Sequence, residues 1–143
     1  MRQQAIRALQ AALAAEQAAS YGYGIVGAHL TGYRFTVAAA DCLDHERARD
    51  SLMRLITARH GTPQPAAVAY QLPIAVSTPG EAVALAVILE HRVTAAYLGL
   101  ASVTDKALRS LGAAQMQACA VRAVRWGGHS QAFPGLPAPA AKS

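Results

Sequence analysis

GTPQPAAVAYQLPIAVST, residues 61–78, is the stretch on which the architecture turns. Pro63, Pro65 and Pro73 punctuate its eighteen residues, so no regular element fits there. Long alanine-rich segments with helical periodicity flank it on both sides. A helix of about 26 residues is roughly 39 Å long, whereas eighteen extended residues reach roughly 60 Å. The linker can therefore carry the chain back along a whole helix and start the next one parallel to the last.

The flanking segments read as four helices, over about 3–30, 35–59, 79–103 and 105–126, followed by an extended tail over 127–143. In the first, Ile6, Leu9, Leu13, Glu16, Ser20, Tyr23, Gly27 and Leu30 follow a three-four spacing that makes a bundle seam. Thr31-Gly32 is expected to close it, with the glycine near the C-cap. His45, Ala48, Leu52 and Leu55 share a face of the second helix, which His60-Gly61-Thr62-Pro63 stops. Thr78-Pro79-Gly80-Glu81 combines an N-cap threonine, proline at N1 and glutamate at N3, a strong start signal for the third helix. The third seam reads Ala86, Glu90, Val93, Tyr97, Leu100. Thr104-Asp105 caps the fourth, whose seam is Leu108, Leu111, Gln115, Cys119, Arg122, Trp126, and Gly127-Gly128 ends it. Gly22, Gly24 and Gly112 either weaken their helices or admit a close neighbour. In the tail, Phe133 and Leu136 are expected to lie against the bundle. Short connections join helices 1 to 2 and 3 to 4, and a long one joins 2 to 3; this is the connectivity of ferritin-like four-helix bundles.

Composition agrees with an all-α single domain. Of 143 residues, 53% are hydrophobic but only 6% aromatic, because alanine supplies much of the apolar content. Thirteen Lys and Arg against eight Asp and Glu give a net charge of +5, which favours acidic partners. The basic residues are scattered along the chain with no run and no interleaved aromatics, which argues against nucleic acid. The most apolar window, Ala82–Leu89, runs directly into Glu90-His91-Arg92 and is too short to span a bilayer. The N-terminus shows no signal-peptide pattern. Cys42 and Cys119 lie in no paired or zinc spacing and read as buried free thiols, so a cytoplasmic location is expected.

Two carboxylates break the apolar pattern. Glu16 and Glu90 occupy seam positions, where desolvating a charge costs several kcal/mol unless a cation or metal meets it. A dinuclear iron or manganese centre would draw a Glu from each of two helices and a Glu-x-x-His from each of the other two. Glu16 and Glu90 supply the first pair. On the second helix His45 and Glu46 are adjacent and point about 100° apart, and the residue three after Glu46 is Arg49. The fourth helix offers Gln115, Cys119 and Arg122 at that depth. The metal reading thus rests on Glu16, His45 and Glu90 alone, fewer than half the usual ligands. The competing reading is a closed polar network in which Arg122, and either Arg47 or Arg49, neutralise the acids with Tyr97 alongside. No nucleophile elbow or phosphate loop is present, and the other histidines share no ligand spacing.

Several segments together resemble a known family: AAEQAASYGYG (14–24), HERARD (45–50), AYQLP (69–73), Leu89-Glu90 with Ala95-Ala96-Tyr97, AVRAVRW (120–126) and FPGLP (133–137). They are similar to a ferritin-like family of unknown function from high-GC bacteria, over nearly the whole chain. That resemblance implies the bundle fold and no activity. The expectation is a ferritin-like bundle with a lost or reduced metal centre, non-enzymatic, without a required cofactor, and homodimeric through a helix pair with thin apolar faces. An iron or manganese oxidase and a basic adaptor for an acidic partner are the alternatives.

Overall fold

The computed structural model describes residues 1–128; the predicted tail beyond that point, with Phe133 and Leu136, lies outside the described residues. The described chain is four helices: α1 (Arg2–Ala28), α2 (Gly32–Thr57), α3 (Pro79–Ala101) and α4 (Lys106–Arg125). The expected seams face inward, with Leu9, Leu13, Glu16, Tyr23, His45, Leu52, Glu90, Tyr97 and Cys119 all buried.

Helix ends follow local chemistry. Thr78 and Glu81 form the reciprocal capping box that the sequence announced, with Pro79 at the first helical position. Asp105 caps α4, accepting the amides of Ala107 and Leu108 at 2.9 and 3.2 Å. Gly127 (φ 99) terminates α4, and the Gly128 amide reaches back to the Ala123 carbonyl. One boundary differs from expectation. Gly32 does not end α1 but opens α2, its φ of 61 turning the chain directly after the extended Thr31. α1 stops earlier, where the His29 ring nitrogen Nδ1 meets the Ile25 carbonyl at 2.9 Å. α2 therefore starts three residues sooner than its apolar pattern suggested.

The linker runs along α1. Gln10 grips it twice, donating to the Thr62 carbonyl and accepting the Gln64 amide, and Gln17 donates to the Gln64 carbonyl. Tyr70 then packs on Tyr21, and Leu72, Ile74 and Val76 join the apolar cluster at the far end. α3 consequently starts beside the end of α1 and runs parallel to α2, as the linker's length allows. α1 packs against α2 and α3, and α3 against α4. α2 and α4 instead flank a groove of about 280 Å³ lined by Asp44, Arg47, Ser51, Tyr97, Gln115 and Arg122.

Two glycines mark close approaches. A Cβ on Gly22 would lie 2.6 Å from Leu89 of α3, and one on Gly112 would lie 2.6 Å from the Ala101 backbone nitrogen. Gly112 thus lets α4 settle against the end of α3, and Gly24 faces open space. The interior divides into two apolar clusters. One gathers Leu9, Leu13, Leu52, Ile56, Leu100 and Leu108; the other gathers Tyr23, Val26, Leu30, Leu85, Leu89 and Trp126. α3 contributes to both and is, by length and composition, apolar enough to cross a bilayer, more than the Ala82–Leu89 window alone implied. Its apolar side chains fill the bundle core, and Glu90 sits at its midpoint.

Candidate functional site

The polar layer between the two clusters is built from all four helices. Glu16 (α1), His45 (α2) and Glu90 (α3) are fully buried, each carried inward because its position continues a seam. His45 lies between the acids: Nδ1 is 2.5 Å from Glu16 Oε2, and Nε2 is 2.8 Å from Glu90 Oε1. Tyr97 donates to Glu16 Oε1 at 2.7 Å and Tyr23 to Glu90 Oε1 at 2.6 Å. Arg122 Nε reaches Glu90 Oε1 at 3.1 Å, and its Nη2 meets Cys119 Sγ at 3.5 Å.

The electrostatics follow from this geometry. Burial alone would lower the His45 pKa, but hydrogen bonds to Glu16 and Glu90, reinforced by their charges, outweigh it and lift the imidazole to about 9. His45 is therefore an imidazolium at neutral pH, donating from both nitrogens. Burial likewise raises the Glu90 carboxyl, yet His45 and Arg122 together hold it below the usual range. Tyr23, Tyr97 and Cys119 are pushed up, first by burial and then by the neighbouring carboxylates. Those hydroxyls and that thiol stay protonated; the hydroxyls donate to the carboxylates, and the thiol sulfur accepts from Arg122. Two acids and two cations close the layer without net charge.

The sequence placed Glu16, His45, Glu90, Tyr97 and Arg122 together, and the fold unites all five. Arg49 is a correction: its Nε pairs with Asp50 at 2.9 Å at the surface and takes no part in the layer. Arg47 is also outside, with a loose 3.8 Å approach to Asp44. The reason is helical phase, since His45 already holds the inward position of that turn. Glu16 is accordingly met by imidazolium and phenol rather than by guanidinium.

Asp41 was not anticipated. It is buried one turn before His45, accepting Arg125 Nη2 at 2.5 Å and Trp126 Nε1 at 2.8 Å. Its position in the run Ala38, Asp41, His45, Ala48, Leu52 carried the signal, because three-four spacing extends the α2 seam back through it. Tyr23 adds a second layer of order, stacking on His45 with centroids 5.3 Å apart and tilting against Trp126 at 6.4 Å.

A metal pair fits these residues poorly. With both ring nitrogens donating, His45 offers no lone pair to an ion. Arg122 brings a positive charge to the depth where α4 would supply a ligand. One oxygen, Glu90 Oε2, is buried without a hydrogen-bond partner among the described residues. Among the described residues no His, Cys, Asp and Glu side chains converge in threes to hold an ion.

Comparison with other proteins agrees with this picture of a helical domain. The crystal structure of a conserved hypothetical protein, rv2844, from Mycobacterium tuberculosis is similar at 33% identity and a TM-score of 0.84, covering 87% of this chain and 95% of that one. No curated protein matches the sequence. Residues 8–138 match the family described as Domain of unknown function (DUF4439), and the chain belongs to that family.

Proposed function

We propose that the protein is a non-enzymatic, ferritin-like helical module in which an imidazolium takes the place of the metal pair of dinuclear carboxylate bundles. One observation supports this reading above the others: both ring nitrogens of His45 lie within 2.8 Å of carboxylate oxygens that arrive from two different helices. A proton on a ring is doing the neutralising that two cations would otherwise do. The resulting layer fixes helix register, because sliding any helix by one turn would strand a charge among leucines.

The oxidase alternative would require His45 to lose its proton and both acids to turn toward a metal, with Arg122 withdrawn. Elemental analysis distinguishes the two. Protein purified without chelator from iron- and manganese-replete medium should carry well below one equivalent of either metal. About two equivalents per chain, the load of a dinuclear centre, would overturn the module reading.

Self-association belongs to the same reading. Ala107, Ser110, Ala114, Gln117, Val121 and Val124 form an uncharged outward stripe on α4, with Val121 60% and Val124 48% exposed. Sedimentation equilibrium should return twice the 14.9 kDa chain mass, and a monomer at micromolar concentration would remove the dimer from the proposal. Two free thiols, Cys42 and Cys119, support a reducing, cytoplasmic setting.

A further inference from the structure

The cations that look scattered in the sequence are not scattered in space. Hydrogen bonds bring the start of α1, the end of α2 and the α3–α4 turn to one end of the bundle: Arg59 pairs with Asp105 at 2.8 Å, and Thr104 touches Met1 Sδ at 3.3 Å. That end carries Arg2, Arg7, Arg54, Arg59, Lys106 and Arg109 against a single carboxylate, Asp105. The chain has thirteen Lys and Arg and eight Asp and Glu. Removing those six cations and one acid leaves seven of each, Lys142 of the tail included. The whole excess charge of +5 therefore belongs to one end.

Side chains alone produce it. Two helix N-termini and two C-termini meet there, so the helix dipoles cancel. Arg47, Arg49, Arg122 and Arg125 each have a carboxylate within 4 Å elsewhere in the bundle. Among the described residues Arg2, Arg7, Arg54 and Lys106 form no ion pair, and all four are exposed.

The geometry points to this end as a docking surface for an acidic segment of another protein, rich in Asp and Glu. Five of the six cations are arginines, whose planar guanidinium meets a carboxylate with two parallel hydrogen bonds and is enriched at protein interfaces. Among the described residues no aromatic side chain is exposed beside them to stack a nucleic-acid base. Among the described residues the large apolar side chains exposed at this end are Met1, 87% accessible, and Met53, 38%; two methionines form no continuous apolar face, and basic charge needs a substantial apolar signal for stable bilayer binding. The inference stands apart from the protonation of His45 and survives if the core reading fails.

The test is fluorescence anisotropy with a labelled twelve-residue Glu/Asp peptide at low salt. Arg7→Glu with Lys106→Glu should weaken binding about tenfold or more, and salt should weaken the wild type in step with screening. Arg34→Glu with Arg92→Glu makes the same change in net charge on exposed residues away from this end, and should cost about twofold or less. Circular dichroism verifies folding, and Arg7→Gln with Lys106→Gln replaces the reversal if it does not fold. Equal losses in the two pairs would show attraction by net charge alone and overturn the assignment. Tighter binding to duplex DNA, or to vesicles rich in anionic lipid, than to the peptide would overturn it as well.

Discussion

Two buried acidic sites are marked by His45 and Asp41, one helical turn apart on α2, and they are solved differently. At the centre, Glu16 and Glu90 share His45, and every charge partner is at least nearly buried, Arg122 being 11% exposed. Toward the far end, Asp41 is buried too, but its arginine, Arg125, is 48% exposed. The centre is out of water's reach, so cations must be interior and matched. The edge can borrow a cation whose own hydration is largely kept, at a much smaller desolvation cost. Depth rather than charge decides how much each cluster matters.

The comparison has consequences of graded size. His45→Gln removes the central cation and leaves two facing carboxylates; we expect about 3–5 kcal/mol of lost stability in urea denaturation. Adding Glu16→Gln and Glu90→Gln to the same chain should recover part of that loss, since no uncompensated charge remains. A His45→Gln cost below about 1 kcal/mol would erase the distinction between centre and edge.

Next in size is the pH dependence. The folded His45 pKa of about 9 lies above its ordinary 6.5, so its contribution is complete below pH 6.5 and lost as pH rises through 9. Roughly 3 kcal/mol should disappear over that window. Glu90, whose pKa is lowered, works in the opposite sense and loses its contribution as pH falls through the acid range. Stability should therefore be highest in mildly acidic solution, and His45→Gln should flatten the alkaline limb. An alkaline limb unchanged in that variant would assign the titration to another group.

Arg122→Ala should cost about 2–3 kcal/mol, less than His45→Gln because Glu90 keeps His45 and Tyr23. A loss within about 0.5 kcal/mol would make Arg122 a surface residue in energetic terms. Asp41→Asn should cost least, about 1 kcal/mol, because an amide oxygen still accepts from Trp126 and Arg125 can turn to solvent. An Asp41→Asn cost equal to that of His45→Gln would mean that burial alone sets the scale.

The sequence carried much of this, unevenly. Seam periodicity located Glu16 and Glu90, the length of the proline-rich linker allowed a parallel α2 and α3, and Thr78-Pro79-Gly80-Glu81 marked a helix start. Arg49 was misassigned because a carboxylate's need for a cation says nothing about which neighbour has the phase to answer it. His45 answered by gaining a proton, and that follows only from two acids converging on one ring. Asp41 escaped because the α2 seam is first recognised at His45, and only its extension back through Ala38 places Asp41 inside, where Trp126 covers it. The charged end was invisible for a different reason: its cations come from three segments that only tertiary structure gathers. Gly32 was read backwards because a left-handed glycine can follow one helix or precede another.

The crossover held by Gln10 and Gln17 divides the chain into two helical hairpins. The first brings Glu16 with His45, and the second brings Glu90 with Arg122. In the central layer each hairpin thus brings one acid and one base, whereas Asp41 of the first hairpin takes its partners, Arg125 and Trp126, from the second. Docking of the hairpins therefore completes both buried sites at once, giving Asp41 its arginine and His45 its second carboxylate.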